Sequence, residues 1–122
     1  MSRPQKLRTV CCDREFLFVP FPEEASETVQ LSLEEYETIR LIDYANLTQQ
    51  ECAGMMEIAR TTVQSIYEKA RFKIADALIH QKNISVKGGH YKLCNHPGDE
   101  KNCLKENCKR KIRNREENYE KV

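Results

Sequence analysis

Apolar residues recur every three or four positions in the middle of the chain, which is the spacing of helices that bury one side. Between Gln49 and Glu68, this spacing fits two short helices joined by a tight turn. Aligned on Ala53, the small residue expected in the first of these helices, the pattern predicts five packing positions: Cys52, Met56, Ile58, Val63 and Ile66. The stretch is therefore predicted to form a helix-turn-helix.

Two capping boxes mark helix starts before this unit. Ser32 with Glu35 predicts a helix beginning at Leu33, and Thr48 with Glu51 predicts the start of the next one. The first helix should turn one apolar side inward. Its acidic residues are predicted to face water: Glu34, Glu35, Glu37 and Asp43.

The third predicted helix runs from near Ala59 to about Ile79. Its apolar residues keep the three-four spacing and predict one buried stripe: Val63, Ile66, Tyr67, Ala70, Ile74, Ala77 and Leu78. A residue three or four positions from another lies on the same side of a helix, so this stripe should face a core.

Two segments outside the helices favour extended structure. Residues 9–19 are rich in Thr, Val, Phe and Leu and end at Pro20, and residues 83–93 contain alternating Ile84 and Val86 before Gly88 and Gly89. We expect these segments to pair, with a loop over residues 20–31. The predicted fold class is mainly α, a three-helix helix-turn-helix domain with a small two-stranded β element and a charged C-terminal tail. The predicted domain boundaries are 1–93 and 94–122.

Charge is distributed unevenly along the chain, although the formal net charge is only +1. Residues 1–14 carry +3, whereas residues 15–57 hold one Arg against ten acids, or −9. Residues 58–92 hold seven basic and two acidic residues, or +5, and residues 93–122 carry +2. Positive charge thus returns at the second helix of the pair. This distribution suits a protein that presents one face to phosphate, or alternatively a solvated charged face.

The polar side of the third helix supplies candidates for DNA contact. Arg can donate two hydrogen bonds to guanine, Gln can pair with adenine, and hydroxyl side chains can bond a base edge. The predicted base-contacting residues are Arg60, Thr61, Gln64 and Ser65. Basic residues further along the third helix and in the N-terminal segment are predicted to contact phosphates. For the N-terminal segment, ordinary terminal disorder is the alternative interpretation. The predicted phosphate contacts are Arg3, Lys6, Arg8, Lys69, Arg71 and Lys73.

The cysteines raise a second chemistry. Cys94, His96, Cys103 and Cys108 follow the pattern C-x-H-x6-C-x4-C, which offers three thiolates and an imidazole for a structural zinc site. The spacing is irregular, so surface thiols are the alternative interpretation. Cys11 and Cys12 would join this cluster if the two extended segments pair, which would also admit an iron–sulfur cluster or a redox sensor.

Five stretches together resemble a small prokaryotic family of predicted DNA-binding proteins, domain of unknown function 134. They are SRPQKLRTV, LSLEEYETIRLID, LTQQECAGMM, ARTTVQSIYEKARFKIADAL and ISVKGGHYKL, and they cover roughly residues 2–93. The resemblance implies a helix-turn-helix like region four of sigma factors and a role in transcriptional control. Two positions depart from the usual motif, because Glu57 stands where Gly is common and Ala59 stands where Ser or Thr is common.

These patterns predict a sequence-specific DNA-binding protein and transcriptional regulator that inserts the helix from about residue 59 into the major groove. The expected partners are double-stranded DNA, a second copy of the chain in a homodimer, and RNA polymerase. The alternative is a metal- or redox-responsive adaptor that binds a protein through its helices. No nucleotide-binding loop or nucleophile with a base is recognisable, which argues against an enzyme. No apolar run approaches a membrane span or secretory signal, so a cytoplasmic location is expected.

Overall fold

The computed structural model describes residues 6–94. Its elements follow in the order β1 (Arg8–Val10), β2 (Phe16–Phe18), β3 (Thr28–Leu31), α1 (Leu33–Thr38), α2 (Gln49–Met56), α3 (Arg60–His80), β4 (Asn83–Val86) and β5 (Tyr91–Leu93). Helix α1 continues directly into a π-helical segment, Ile39–Tyr44. The protein is therefore a small mixed α/β domain, and the predicted mainly α, three-helix class is wrong.

Within residues 6–94, five strands form two sheets rather than one two-stranded element. Strand β1 pairs parallel with β5, while β4 lies between antiparallel β2 and parallel β3. The two segments expected to be extended do pair with each other, but each is divided into two short strands. Strand β3 was missed because it lies in the predicted loop, where polar residues surround Val29 and Leu31. Its backbone hydrogen bonds are made with β4, which is distant in sequence.

Two hydrophobic cores share α3. One lies between the helices and the three-stranded sheet, with Leu31, Leu33, Ala70 and Val86 at its centre. The other joins the π-helical segment, α2 and the first half of α3. A 21-residue helix spans about 31 Å at 1.5 Å per residue, so α3 is long enough to serve both cores.

The predicted stripe on α3 is buried along most of its length. Val63, Ile66, Ala70 and Ala77 are buried, whereas Leu78 is 67% exposed, so its inclusion in the stripe was wrong. Among residues 6–94, no helix has both the length and the apolar character needed to cross a membrane.

Three acidic residues of α1 that were predicted to face water are buried. Glu34, Glu35 and Glu37 are only 8%, 6% and 3% exposed, whereas Asp43 is exposed as predicted. Each buried carboxylate accepts hydrogen bonds from a partner that the helical pattern cannot reveal. Glu34 accepts from the backbone N–H of His90 at 2.9 Å. A buried charge is tolerated when such bonds replace water, which explains the failure of the polar-out rule here.

Glu37 and Arg40 form a buried ion pair at the junction of α1 and the π-helical segment. The Arg40 Nε lies 2.7 Å from Glu37 Oε1, and Nη2 lies 3.1 Å from Oε2. Burial by itself would lower the pKa of Arg40, but the hydrogen bonds and charge of Glu37 outweigh it and raise that pKa. Arg40 is therefore held in its charged form.

Candidate nucleic-acid interface

Helix α2 begins at the predicted capping box. The Glu51 N–H donates to the Thr48 hydroxyl at 3.1 Å, and the Thr48 N–H donates to the Glu51 carboxylate at 2.9 Å. The equivalent exchange between Ser32 and Glu35 starts α1. Both predicted starts are confirmed, because a capping box depends only on residues within one helical turn.

The turn between α2 and α3 has a left-handed backbone at Glu57, although glycine is the residue commonly found at this position. Glu57 adopts φ 59° and ψ 42°, and its N–H donates to the carbonyl of Ala53. Its carboxylate accepts a hydrogen bond from the Thr9 hydroxyl in β1 and lies 3.8 Å from Lys92 Nζ in β5. Contacts with β1 and β5 therefore stabilise Glu57 in a left-handed backbone conformation that glycine usually adopts.

The first turn of α3 begins at Arg60 without a side-chain cap. Ala59 has the extended backbone of an N-cap residue, at φ −69° and ψ 149°, but it has no side-chain oxygen. The first turn also contains no acidic residue. No acidic side chain within the first turn therefore neutralises the positive end of the helix dipole or accepts hydrogen bonds from the first backbone N–H groups.

Burial of the two helices fixes their relative position. Four of the five predicted packing residues, Cys52, Met56, Val63 and Ile66, are buried, and Ile58 packs against their core. Burial, with a smaller contribution from the charge of Glu37, raises the pKa of the Cys52 thiol to about 12. Cys52 is therefore a neutral packing residue, as its position on the inner face predicted.

Alkaline pH should weaken the fold through Cys52. The unfolded thiol ionises near its ordinary pKa of 9.0, whereas the folded thiol keeps its proton to about 12. Its contribution is therefore complete below pH 9 and is lost as the pH rises, by up to about 1.4 kcal/mol per pH unit. Between about pH 8 and about pH 10.5, we expect the free energy of unfolding in urea to fall about 2 kcal/mol less for Cys52→Ala than for the wild type. Equal pH dependence of the two proteins, in reducing buffer, would contradict this assignment.

The four predicted base-contacting residues lie together on the exposed side of α3. Arg60, Thr61, Gln64 and Ser65 are all exposed. Arg60 donates to Gln49 Oε1 at 3.2 Å, and Gln64 donates to Glu68 Oε1 at 3.4 Å. Both bonds are at the surface, where a ligand can replace them at little cost. The spacing i, i+1, i+4, i+5 places the four side chains along the first two turns of one helical face.

A cleft of about 390 Å³ runs beside this exposed face. Three residues predicted to contact phosphates, Arg8, Lys69 and Lys73, line it together with Ser65. The lining also contains residues that the sequence analysis did not assign to a site: Ser32, Glu34, Glu35, Thr62 and Ile66. Lys73 Nζ lies 2.7 Å from Glu35 Oε1, so one of the three cations already has a carboxylate partner.

The remaining predicted phosphate contacts lie elsewhere. Lys6 is exposed but does not line the cleft. Arg71 is exposed, lies 4.0 Å from Asp43 and stacks its guanidinium 5.3 Å from the centre of the Tyr67 ring. Arg3 is outside the described residues. The structure thus brings three of the six predicted phosphate contacts together and does not bring Lys6 or Arg71 to them.

The proposed cysteine and histidine site is only partly described. Cys94 is buried and packs against Cys11, whereas His96, Cys103 and Cys108 lie outside the described residues. Within residues 6–94, no three His, Cys, Asp or Glu side chains come together in a way that would hold a metal ion. The described part of the chain therefore contributes at most a pair of thiols to such a site.

The residues that sequence analysis missed come from two helices. The two glutamates of the cleft lie near the cations because α1 packs on α3, whereas Thr62 is on α3 itself. Thr62 follows the predicted contact Thr61 directly, so its hydroxyl could have been included from the sequence. The glutamates could not have been found, because their helical positions suggested a solvated face.

The fold and this face define a small α/β domain with a polar, partly basic helix surface. A family model described as "Protein of unknown function DUF134" matches residues 1–94. The chain therefore belongs to the DUF134 family. The resemblance seen in the sequence is confirmed at the level of the family.

Relatives in several bacteria share most of this length. A UPF0251 protein of Desulfitobacterium hafniense (strain DSM 10664 / DCB-2) is 47% identical over 102 residues, covering 81% of this chain and 82% of its own. A UPF0251 protein of Caldicellulosiruptor saccharolyticus is 45% identical over 91 residues, covering 75% of this chain and 66% of its own. No solved structure matches the chain.

Proposed function

We propose that the protein binds double-stranded DNA in a sequence-specific manner and regulates transcription. In this proposal α2 and α3 act as a helix-turn-helix within the α/β domain, and the first two turns of α3 enter the major groove. The carrying observation is that four exposed polar side chains share one face of α3, and that one of them, Ser65, lines a cleft that also contains three basic residues.

The chemistry of the exposed face suits base edges. Arg60 can donate two bonds to O6 and N7 of guanine, and Gln64 can donate to and accept from adenine. The hydroxyls of Thr61 and Ser65 can take either role. An α-helix fits the major groove, which is about 12 Å wide, so exposed residues on its first turns can reach base edges together.

The cleft suits the phosphate backbone beside that groove. Lys69 lies one turn beyond Ser65 on the same face of α3, and Arg8 reaches the cleft from β1. Contacts of this kind fix the position of a protein on the duplex without distinguishing sequences. The start of α3 adds backbone N–H groups and the positive end of the helix dipole.

Ion pairing of two buried carboxylates with protein cations reduces the repulsion that α1 exerts on DNA. The segment 15–57 carries ten acids, and three of them, Glu34, Glu35 and Glu37, are buried in bonds to protein donors. Their charge is partly balanced by Lys73 and Arg40. Repulsion of phosphate by α1 is therefore weaker than the sequence total suggests.

A salt titration tests the proposal as a whole. Duplexes selected by the full chain from a randomised library should bind more weakly as salt rises, because each phosphate contact releases counterions. The logarithm of affinity should fall linearly with the logarithm of salt concentration. If the full chain binds no duplex from the library at low salt, DNA binding by this protein is refuted.

Arg60→Ala tests the base-contacting role of α3. We expect this variant to lose discrimination at one base pair of the selected site, by about 1–3 kcal/mol, because one side-chain fork to a base edge is removed. Lys69→Ala should instead weaken binding to all sequences alike. Lys82→Ala should change neither property, because Lys82 lies two residues beyond the end of α3 and pairs with Asp76 and Glu27. Unchanged sequence preference in Arg60→Ala would exclude Arg60 from base contact.

A further inference from the structure

Large apolar side chains are concentrated on one surface at the C-terminal half of α3. Within residues 6–94, ten large hydrophobic residues are exposed, and six of them belong to this half of α3 or to the segment that begins in β2. The two parts meet at a cavity of about 270 Å³, which is lined by Leu78 from α3 and by Phe18 and Phe21 from the β2 segment. We call these six residues the apolar patch: Phe18, Val19, Phe21, Phe72, Leu78 and Ile79.

The helical part of the patch is a second apolar side of α3. Phe72, Ala75 and Ile79 are three and four positions apart, so they lie on one side of the helix. Leu78 lies beside them, three positions after Ala75, and all four residues are exposed. Ala77, on the opposite side of the same turns, is buried in the domain. A helix with apolar residues on two sides is typical of one that packs on both of them.

The area of the patch matches what a stable dimer buries. Phe18, Phe21 and Phe72 are 60%, 97% and 72% exposed. With about 200 Å² for a whole Phe side chain, these three residues alone expose about 450 Å², to which Leu78 and Ile79 add. Monomers rarely leave a contiguous apolar patch larger than about 300–600 Å². A standard interface buries about 800 Å² on each partner, and slightly more than half of that area is apolar. The patch is therefore large enough to supply the apolar part of such an interface.

We propose that the apolar patch is the interface of a homodimer in which the α3 helices of two copies cross antiparallel about a twofold axis near Ala75. A twofold interface brings the same surface of both copies together, so that surface has to be complementary to itself. The distance between two packed helices depends on the side chains at their contact, and the small Ala75 allows a close approach. Residues at equal distances before and after Ala75 then meet across the axis, which places Phe72 of one copy against Leu78 of the other.

Such a dimer also gives a physical reason for the exposure of Leu78. Sequence periodicity assigned Leu78 to the buried stripe of α3, but it is 67% exposed in the single chain. Packing against Phe72 of a second copy removes both side chains from water, which favours association. Arg60 lies about 27 Å from Leu78 along the helix, at 1.5 Å per residue, so the interface leaves the base-contacting end of α3 free. The inference does not depend on DNA binding, because self-association is measured without DNA.

Sedimentation equilibrium of the full chain, in reducing buffer without DNA, tests the dimer. At tens of micromolar the wild type should have the mass of two chains. Phe72→Asp and Leu78→Lys should each raise the dissociation constant about 100-fold, because each places a charge at the centre of the interface. Phe21→Ser should also weaken association, and at 97% exposure its side chain contributes little to the fold of the single chain. Leu93→Asp, at an exposed apolar position of β5 in the other sheet, should associate like the wild type.

A mixture of two variants separates a defect of the interface from a defect of folding. Phe72→Asp and Leu78→Lys chains should form a mixed dimer, because the new Asp and Lys face each other at one contact and the native pair is kept at the other. The proposal is overturned if the wild type has the mass of one chain, or if any of the three patch variants associates as tightly as the wild type. It is equally overturned if the mixture stays monomeric while both of its variants keep the circular dichroism spectrum of the wild type.

Discussion

Replacing Arg40 by Met is expected to lower the free energy of unfolding by about 3–5 kcal/mol. The side chains of Arg40 and Glu37 are only 6% and 4% exposed, and two hydrogen bonds join them. Met fills a similar volume but leaves the Glu37 carboxylate buried without its cation. The remaining N–H of Cys11 cannot replace a full charge, so the loss should approach that of other broken buried ion pairs.

An exposed ion pair supplies the matched control for this substitution. Arg71 is 65% exposed and lies 4.0 Å from Asp43, so Arg71→Met should change the stability by less than about 1 kcal/mol. Adding Glu37→Gln to Arg40→Met should recover part of the loss, because the amide oxygen still accepts from Cys11 but carries no charge. Urea unfolding measures all three variants. An Arg40→Met effect no larger than that of Arg71→Met would show that the buried pair contributes little.

Local signals in the sequence predicted the helices well. The capping boxes at Ser32 and Thr48 both form, and α3 runs from Arg60 to His80, within one residue of the predicted limits. These features depend on residues within a few positions of each other, which a sequence pattern contains. The exposure of the four base-contacting residues follows from the same periodicity.

Non-local contacts account for the errors. Strand β3 exists because β4, more than fifty residues later, supplies its hydrogen bonds. The buried glutamates of α1 also depend on distant partners, such as Lys73, 38 residues from Glu35, and the backbone of His90, 56 residues from Glu34. A pattern of polar and apolar residues cannot distinguish a solvated carboxylate from one that meets a distant donor, so both the fold class and the acidic face were wrong.

The β1–β5 ladder connects the turn before α3 with the buried cysteines Cys11 and Cys94. Thr9 and Lys92 are opposite each other in its register, and both contact Glu57 in the turn before α3. Cys11 and Cys94 follow at the end of the same ladder. The turn that orients α3 and the thiol pair are therefore held by the same two strands, although they lie far apart in sequence.

Gly89→Ala is expected to destabilise the protein by about 2–5 kcal/mol. Gly89 has φ +121°, a backbone conformation that residues with a side chain rarely adopt, and forcing one there costs about 1–3 kcal/mol. An added Cβ would also clash with the Glu34 carboxylate and lie 3.0 Å from Ser32 Cβ. Displacing Glu34 breaks its bond to the His90 N–H, and leaving such a buried group unsatisfied costs a further 1–3 kcal/mol or so.

The same substitution at Gly54 should have the opposite sign. Gly54 lies inside α2, and a Cβ added there meets nothing within 4 Å. Because Ala favours the helix over Gly by about 1 kcal/mol, Gly54→Ala should raise the free energy of unfolding by roughly that amount. Urea unfolding of the two variants compares one added methyl group in two backbones. A Gly89→Ala protein as stable as the wild type would show that the turn before β5 can rearrange to accept a side chain.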